Sequence, residues 1–135
     1  MKNKKPGSRD GCITGAGYKL LSDLADLDRI ITDLDPEEAD KRQEELIARL
    51  DAIALKNPKQ ATAIFLKSPF FVEDIEDGEY YLSYCDRITG AQLAELNTPE
   101  KRAAYIAEQD RAFDEAYKAG KHIIIGGGGF TVLED

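Results

Sequence analysis

Residues 20–55 read LLSDLADLDRIITDLDPEEADKRQEELIARLDAIAL and contain two apolar patterns joined by a short polar turn. In the first pattern, large apolar residues recur at alternating intervals of four and three, which places them on one stripe of a helix. These residues are Leu20, Leu24, Leu27, Ile31 and Leu34. An apolar stripe left in water would cost about 2 kcal/mol per large side chain, so we expect it to face a core.

The turn carries the signals of a second helix start. Asp35 is expected to be the N-cap, Pro36 the first helical residue, and Glu38 the partner in a capping box. An apolar stripe at Leu46, Leu50 and Ile53 follows. Because the connection is only about one or two residues long, the two helices are predicted to pack as an antiparallel pair.

Cap signals predict three more helices further along the chain. The third helix is expected from Pro58 to Lys67, with Asn57 as its N-cap and Gln60 as the capping-type residue. A fourth is expected from the Thr89/Gln92 capping box through Leu96. The fifth is expected from Pro99 to Ala119, with Thr98 as its N-cap and Gly120 as its left-handed stop. We expect this long helix to pack across the opening helical pair and to cover its apolar seam.

Two segments favour strands. Residues 70–84 place β-favouring residues on both sides of Asp77-Gly78, which predicts a hairpin with a turn there. Residues 121–133 place two such runs around Gly126 to Gly129, which predicts a terminal hairpin. If this hairpin pairs with residues 70–84, the two form one small antiparallel sheet.

The fold class predicted from these elements is α+β and mainly helical. An antiparallel helical hairpin and a long C-terminal helix would pack with a small antiparallel β-sheet or hairpins. The 135 residues, 42% of them apolar, suffice for one core. We therefore expect a flexible basic arm at residues 1–11 and a single α+β domain at residues 12–135.

Acidic residues outnumber basic ones, 26 to 18, which gives a net charge of −8. Residues 1–9 hold four of the basic residues and no acidic one, so 14 basic and 26 acidic residues leave the rest at −12. Such a body repels phosphates, and direct nucleic-acid binding is not expected. Two interpretations remain: a solvated surface that keeps the protein soluble, or a negative face that fits a basic partner.

The leading functional hypothesis is a non-enzymatic protein-binding module, an adaptor or inhibitor, that presents an acidic helical face to a basic partner surface. One form of it is a nucleic-acid mimic, whose carboxylates occupy the phosphate sites of a nucleic-acid-binding protein. The candidate partner-binding residues are Asp23, Asp26, Asp33, Glu37, Glu38, Glu44, Glu45 and Asp51.

Two alternatives belong to other functional classes. A structural or assembly subunit would homo-oligomerise through the helical seam, the Tyr/Phe-rich residues 70–84, or the sheet edge at Ile123–Ile125. A small Cys-His enzyme would use Cys85 and His122, with Asp86 as an orienting group.

No catalytic, cofactor-binding or metal-binding residue set is predicted. Gly15 and Gly17 precede a helix, but position 20 is Leu20 and the third glycine of a dinucleotide loop is missing. We expect these two glycines to let the chain turn into the first helix. The four glycines from Gly126 lack the following helix that a phosphate loop needs.

The sequence predicts a cytoplasmic protein without a membrane segment. No apolar run approaches the roughly 18 residues that cross a bilayer, and the basic start is followed by Pro6-Gly7-Ser8 instead of an apolar signal core. Cys12 and Cys85 lie far apart, and a disulfide between them is not expected in a reducing compartment.

Overall fold

The computed structural model describes residues 13–71, 75–126 and 129–133. This part of the chain contains five α-helices and two antiparallel two-stranded sheets, which confirms the predicted α+β, mainly helical class. The elements in chain order are α1 (Gly15–Ile30), α2 (Pro36–Lys56), α3 (Pro58–Lys67), β1 (Glu79–Ser83), β2 (Asp86–Thr89), α4 (Gly90–Glu95), α5 (Pro99–Lys118), β3 (His122–Gly126) and β4 (Gly129–Leu133).

Helix α1 begins at Gly15, earlier than the apolar stripe suggested, because Thr14 caps it. The Thr14 hydroxyl accepts from the Gly17 N–H at 3.4 Å. The expectation that Gly15 and Gly17 form a turn before the helix is therefore wrong, since both lie inside α1. Gly17 is buried there, and a Cβ at this position would lie 2.7 Å from Ile13 Cγ2 and 2.8 Å from Gln60 Oε1. Its role is close packing of α1 against α3.

Helices α1 and α2 form the predicted antiparallel pair, joined by a single 3₁₀ turn at Ile31–Asp33. The Asp35 side chain accepts from the Glu37 N–H at 3.2 Å and caps α2. The predicted capping box is not formed, because the Glu38 carboxylate instead accepts from Arg42 Nε at 2.8 Å. The Asp35 side chain therefore caps α2 without a return hydrogen bond to Glu38.

The apolar seam of the pair is covered by α3 and β1, and the prediction that α5 covers it is wrong. Ile64 of α3 and Tyr81 of β1 join the cluster of Leu20, Leu24 and Leu50. None of the described core residues in that cluster lies on α5. Helix α3 follows α2 directly and is buried on several sides, so it fills the position that α5 was expected to take.

The predicted hairpin around Asp77-Gly78 is also wrong in its pairing. Strand β1 pairs with β2, and the turn between them is Tyr84-Cys85. Gly78 adopts a φ of 85° in a separate turn, in which the Glu79 N–H donates to the Glu76 carbonyl at 3.0 Å. Phe70 and Phe71 form no strand; the positions 72–74 of this arm lie outside the described residues.

The aromatic residues of that arm complete the core instead of forming a free surface. The Phe71 ring stacks on Phe65 with centroids 4.5 Å apart, and Phe70 meets Phe71 edge-on at 5.3 Å. Tyr81 contacts Phe65 from β1 at 5.5 Å. Only Tyr84, which is 50% exposed, remains available at the surface among these rings.

The C-terminal half follows the sequence prediction more closely. Thr89 and Gln92 form a two-sided capping box at α4, Thr98 caps α5, and Gly120 follows α5 with a φ of 75°. Strands β3 and β4 form the terminal hairpin, which meets α5 where Phe130 packs edge-on against Phe113 at 5.0 Å. The expected pairing of this hairpin with residues 70–84 is not found, since the two sheets are separate.

None of the helices in residues 13–71, 75–126 and 129–133 combines the length and the apolar character that crossing a bilayer requires.

Candidate functional site

Several of the predicted partner-binding carboxylates are engaged in ion pairs on α1 and α2. Asp23 accepts from Arg49 at 2.7 Å and from Lys19 at 3.0 Å, so it ties α1 to α2. The hydrogen bond from Arg49, and then that from Lys19, lowers the pKa of Asp23. Asp26 pairs with Arg29 on the surface of α1.

On α2, Glu38 is paired in the same way. Its hydrogen bond from Arg42 lowers the pKa of Glu38. Asp33, Glu37, Glu44 and Glu45 are exposed, and Glu44 and Asp51 line a concave surface. Of the predicted residues, Asp23, Asp26 and Glu38 thus form ion pairs, whereas Glu44 and Asp51 share this concave surface.

The concave surface is a groove of about 540 Å³ between one side of α2 and the β1–β2 turn. Six of its lining residues follow the spacing of one helical stripe, and Tyr84 from the turn faces them. The stripe consists of Asp40, Gln43, Glu44, Ile47, Ala48 and Asp51. We call this surface the α2 groove.

The α2 groove combines apolar and acidic lining residues. Ile47, Ala48 and the Tyr84 ring provide its apolar part, while Asp40, Glu44 and Asp51 provide carboxylates. None of the described lining residues is Lys or Arg. Arg42 and Arg49 of α2 pair with Glu38 and Asp23, and these four residues lie outside the groove lining. The two sides of the helix therefore differ in charge.

Asp51 is half-buried at one end of the α2 groove. Its Oδ1 accepts from the Tyr81 hydroxyl at 2.6 Å, and it also accepts from the Tyr84 backbone N–H. Burial raises the pKa of Asp51 despite these two hydrogen bonds, and the nearby charge of Asp86 adds to the rise. Burial and the Asp51 carboxylate raise the pKa of Tyr81, so its hydroxyl remains a donor.

Two further carboxylates lie beside this end of the groove. Asp86 begins β2 and accepts from the Ser83 hydroxyl at 2.8 Å. Burial raises the pKa of Asp86, and the charge of Asp110 on α5 raises it further. Asp51, Asp86 and Asp110 thus form an acidic cluster, contributed by α2, β2 and α5, whose members repel one another.

The sequence prediction missed Asp40 and Asp110, and it gave other roles to Asp86, in a Cys-His site, and to Tyr84, in an oligomer interface. The helical spacing of Asp40, Glu44 and Asp51 was visible in the sequence and could have separated this side of α2 from the side that bears Arg42. No sequence signal places Asp86 or Asp110 beside Asp51, because that proximity depends on how β2 and α5 pack.

The environment of Cys85 does not favour a nucleophile. Partial burial of the thiol, followed by the charges of Asp86, Asp110 and Asp51, raises the pKa of Cys85, whereas a catalytic cysteine needs a lowered one. His122 begins β3 in the other sheet. Among the described residues, no group of three or more His, Cys, Asp or Glu side chains has the arrangement of a metal site.

Comparisons with protein-family models, with curated proteins and with solved structures found no match to this chain. The α2 groove and the charges around it are therefore the features from which we infer a function.

Proposed function

We propose that this protein is a non-enzymatic binding module that recognises a basic surface of a partner protein, as an adaptor or an inhibitor. The observation that carries this proposal is the α2 groove, in which carboxylates of α2 line one wall without a neighbouring lining cation. An approaching Lys or Arg would gain favourable interactions there and relieve repulsion among the carboxylates.

The acidic cluster beside the groove supports the same proposal. Burial and then the charge of Asp86 raise the pKa of Asp51, and burial and then the charge of Asp110 raise the pKa of Asp86. A basic partner would offset this repulsion among the carboxylates. In one form of the proposal, these carboxylates take the place of phosphates and the partner is a nucleic-acid-binding protein.

We place this activity in the cytoplasm. The described cysteine, Cys85, is a free thiol, which suits a reducing compartment.

The test is a pull-down of basic partners from the native host at low and at high salt, with partners identified by mass spectrometry. One variant removes two groove charges at exposed positions, Asp40→Asn with Glu44→Gln. The control removes two exposed charges outside the groove lining, Asp33→Asn with Glu45→Gln. We expect salt-sensitive partners that the groove variant loses and the control retains.

Equal binding by the two variants would show that only net charge matters. Binding that is indifferent to salt would overturn the proposal. Asp51 is left unchanged in this experiment because it also accepts a hydrogen bond from Tyr81, so a substitution there would change stability together with charge.

A second candidate function is assembly through homo-oligomerisation, and the terminal hairpin favours it. Strands β3 and β4 form a sheet of only two strands, and one face of it exposes Ile124 and Leu133. A two-stranded sheet is marginal on its own, so a second copy would stabilise it. Sedimentation velocity at two protein concentrations tests this, with Ile124→Lys as the variant. A monomer at high concentration would exclude it.

A further inference from the structure

We propose that the α2 groove binds one large aliphatic side chain of a basic partner segment, with Lys or Arg on both sides of that apolar residue. This inference rests on the proposed function and specifies the chemistry of the partner. It follows from the order in which acidic and apolar residues occur along the groove.

The acidic residues lie at the two ends of the groove, and the apolar ones lie between them. Asp40 and Glu44 are at the N-terminal end of the stripe, and Asp51 is at the other end with Asp86 nearby. Ile47 and Ala48 occupy the middle, and Tyr84 lines the groove from the β1–β2 turn, where its backbone N–H donates to Asp51. A ligand that matched this order would be cationic, apolar and cationic in turn.

The length of the groove sets the spacing of those cations. From Asp40 to Asp51 the helix advances about 16 Å, at roughly 1.5 Å per residue. An extended peptide covers that distance in about five residues. The partner segment would therefore place basic residues about five positions apart, with the apolar residue between them.

The apolar part distinguishes this ligand from a purely cationic one. Ile47 is half-buried, and the Tyr84 ring is 50% exposed at the groove. A leucine placed between them would cover apolar surface that now faces water, which lysine alone would not do. Charge would then guide the partner to the groove, and the apolar contact would select among basic segments.

The chain contains its own natural control. Lys2–Arg9 reads KNKKPGSR and carries four cations but no large apolar side chain. A peptide of this sequence matches the charge of the proposed ligand and lacks its anchor. If it bound as tightly as an anchored peptide, the chain's own basic arm would be a groove ligand and the proposed selectivity would be wrong.

The experiment measures fluorescence anisotropy of labelled peptides with the full chain. The first peptide is Lys-Lys-Gly-Leu-Gly-Lys-Lys, the second replaces Leu by Ala, and the third is the Lys2–Arg9 sequence. We expect the Leu peptide to bind about tenfold more tightly than the other two at moderate salt.

Two matched substitutions locate the contact. Ala48→Trp fills the middle of the groove, whereas Ala52→Trp adds the same side chain one turn further along α2, at an exposed position outside the lining. We expect Ala48→Trp to reduce binding of the Leu peptide to the level of the Ala peptide, and Ala52→Trp to leave it unchanged. Circular dichroism of both variants verifies that the helices are retained.

The outcomes separate this inference from the proposed function. Equal binding of the Leu and Ala peptides, or equal effects of the two Trp variants, would overturn the inference and leave the acidic binding module standing. Absence of binding by all three peptides at low salt would overturn both. A change of oligomeric state on Ala48→Trp would show that a second copy of the chain occupies the groove, which also overturns the inference.

Discussion

Gly17 shows how one residue sets the distance between two helices. Its neighbours are Ile13, Gln60 and Ile64, the last of which would lie 3.0 Å from an added Cβ. The Gln60 oxygen is also fixed in place, since it accepts from both the backbone N–H and the hydroxyl of Thr14 at 3.1 Å. A side chain at this position would therefore disturb the α1 cap as well as the packing.

We predict that Gly17→Ala destabilises the protein by about 1–3 kcal/mol through overpacking, although alanine is the better helix former. Gly15→Ala is the control, because nothing lies within 4 Å of a Cβ there. That variant should be neutral or slightly more stable. Urea unfolding followed by circular dichroism measures both, and a Gly17→Ala variant as stable as Gly15→Ala would contradict the close packing.

At the scale of elements, Arg102 connects three helices. It is buried on α5, where its Nε donates to the Leu55 carbonyl at 2.7 Å and its Nη1 to the Leu96 carbonyl at 2.8 Å. Its Nη2 donates to the Lys56 carbonyl at 3.3 Å. These carbonyls lie at the C-terminal ends of α2 and α4, where intrahelical donors are missing and a cation is favourable.

Removal of this guanidinium should cost about 2–4 kcal/mol, because Arg102→Ala leaves three partly buried carbonyls without these donors. Arg102→Lys should recover only part of the loss, since an ammonium cannot reproduce the planar arrangement of donors. The comparison is Arg111→Ala on the same helix, which removes exposed ion pairs to Glu108 and Glu115 and should change the urea midpoint little. Similar midpoints for Arg102→Ala and Arg111→Ala would refute the connecting role of Arg102.

The sequence predicted those elements whose signals come from residues close together in the chain. The caps at Asp35, Asn57, Thr89 and Thr98 are formed by side chains within a few residues of the helix start, and all four were predicted. The same holds for the terminal hairpin. The packing of each element depends on residues far away in the chain, which local patterns do not reveal. The wrong predictions for the packing of α5 and for the strand pairing of residues 70–84 have this cause.

Gln60 illustrates the difference. From the sequence it was a capping-type residue of α3, yet only its backbone N–H takes part in that cap, by donating to Asn57 Oδ1 at 3.1 Å. Its side chain reaches Thr14, which is 46 residues away in sequence. The α2 groove follows the same rule: the stripe on α2 is a local pattern, whereas Tyr84 and Asp86 reach it only through the fold.

At the scale of the whole molecule, the carboxylates divide into two groups with opposite effects on stability. Ion pairs lower the pKa values of Asp23 and Glu38 below 3.8 and 4.5, whereas burial raises those of Asp51 and Asp86 above 3.8. The first group stabilises the fold above those values and loses that contribution as the pH falls through the lowered pKa values. The second group stabilises the fold when protonated and loses its contribution as the pH rises through the raised pKa values.

We therefore predict that the protein becomes more stable as the pH is lowered from 7 through the raised pKa values of Asp51 and Asp86, and less stable again as the pH falls through the lowered pKa values of Asp23 and Glu38. The rise comes from protonation of Asp51 and Asp86, whose folded forms bind protons more readily than the unfolded chain does. Urea midpoints at pH 7, 6, 5 and 4 measure the profile. In Asp51→Asn with Asp86→Asn, the midpoint at pH 7 should increase and the rise on acidification should shrink.

General repulsion within an acidic chain would also weaken on acidification, so the profile needs a control of equal charge. Asp33→Asn with Glu45→Gln removes two exposed charges and leaves Asp51 and Asp86 in place. This variant should keep most of the rise on acidification. If it lost as much of the rise as the Asp51/Asp86 variant, net charge would govern the pH dependence and the acidic cluster would have no specific part in it. The same comparison at 1 M salt strengthens the distinction, because salt screens exposed charges more than buried ones.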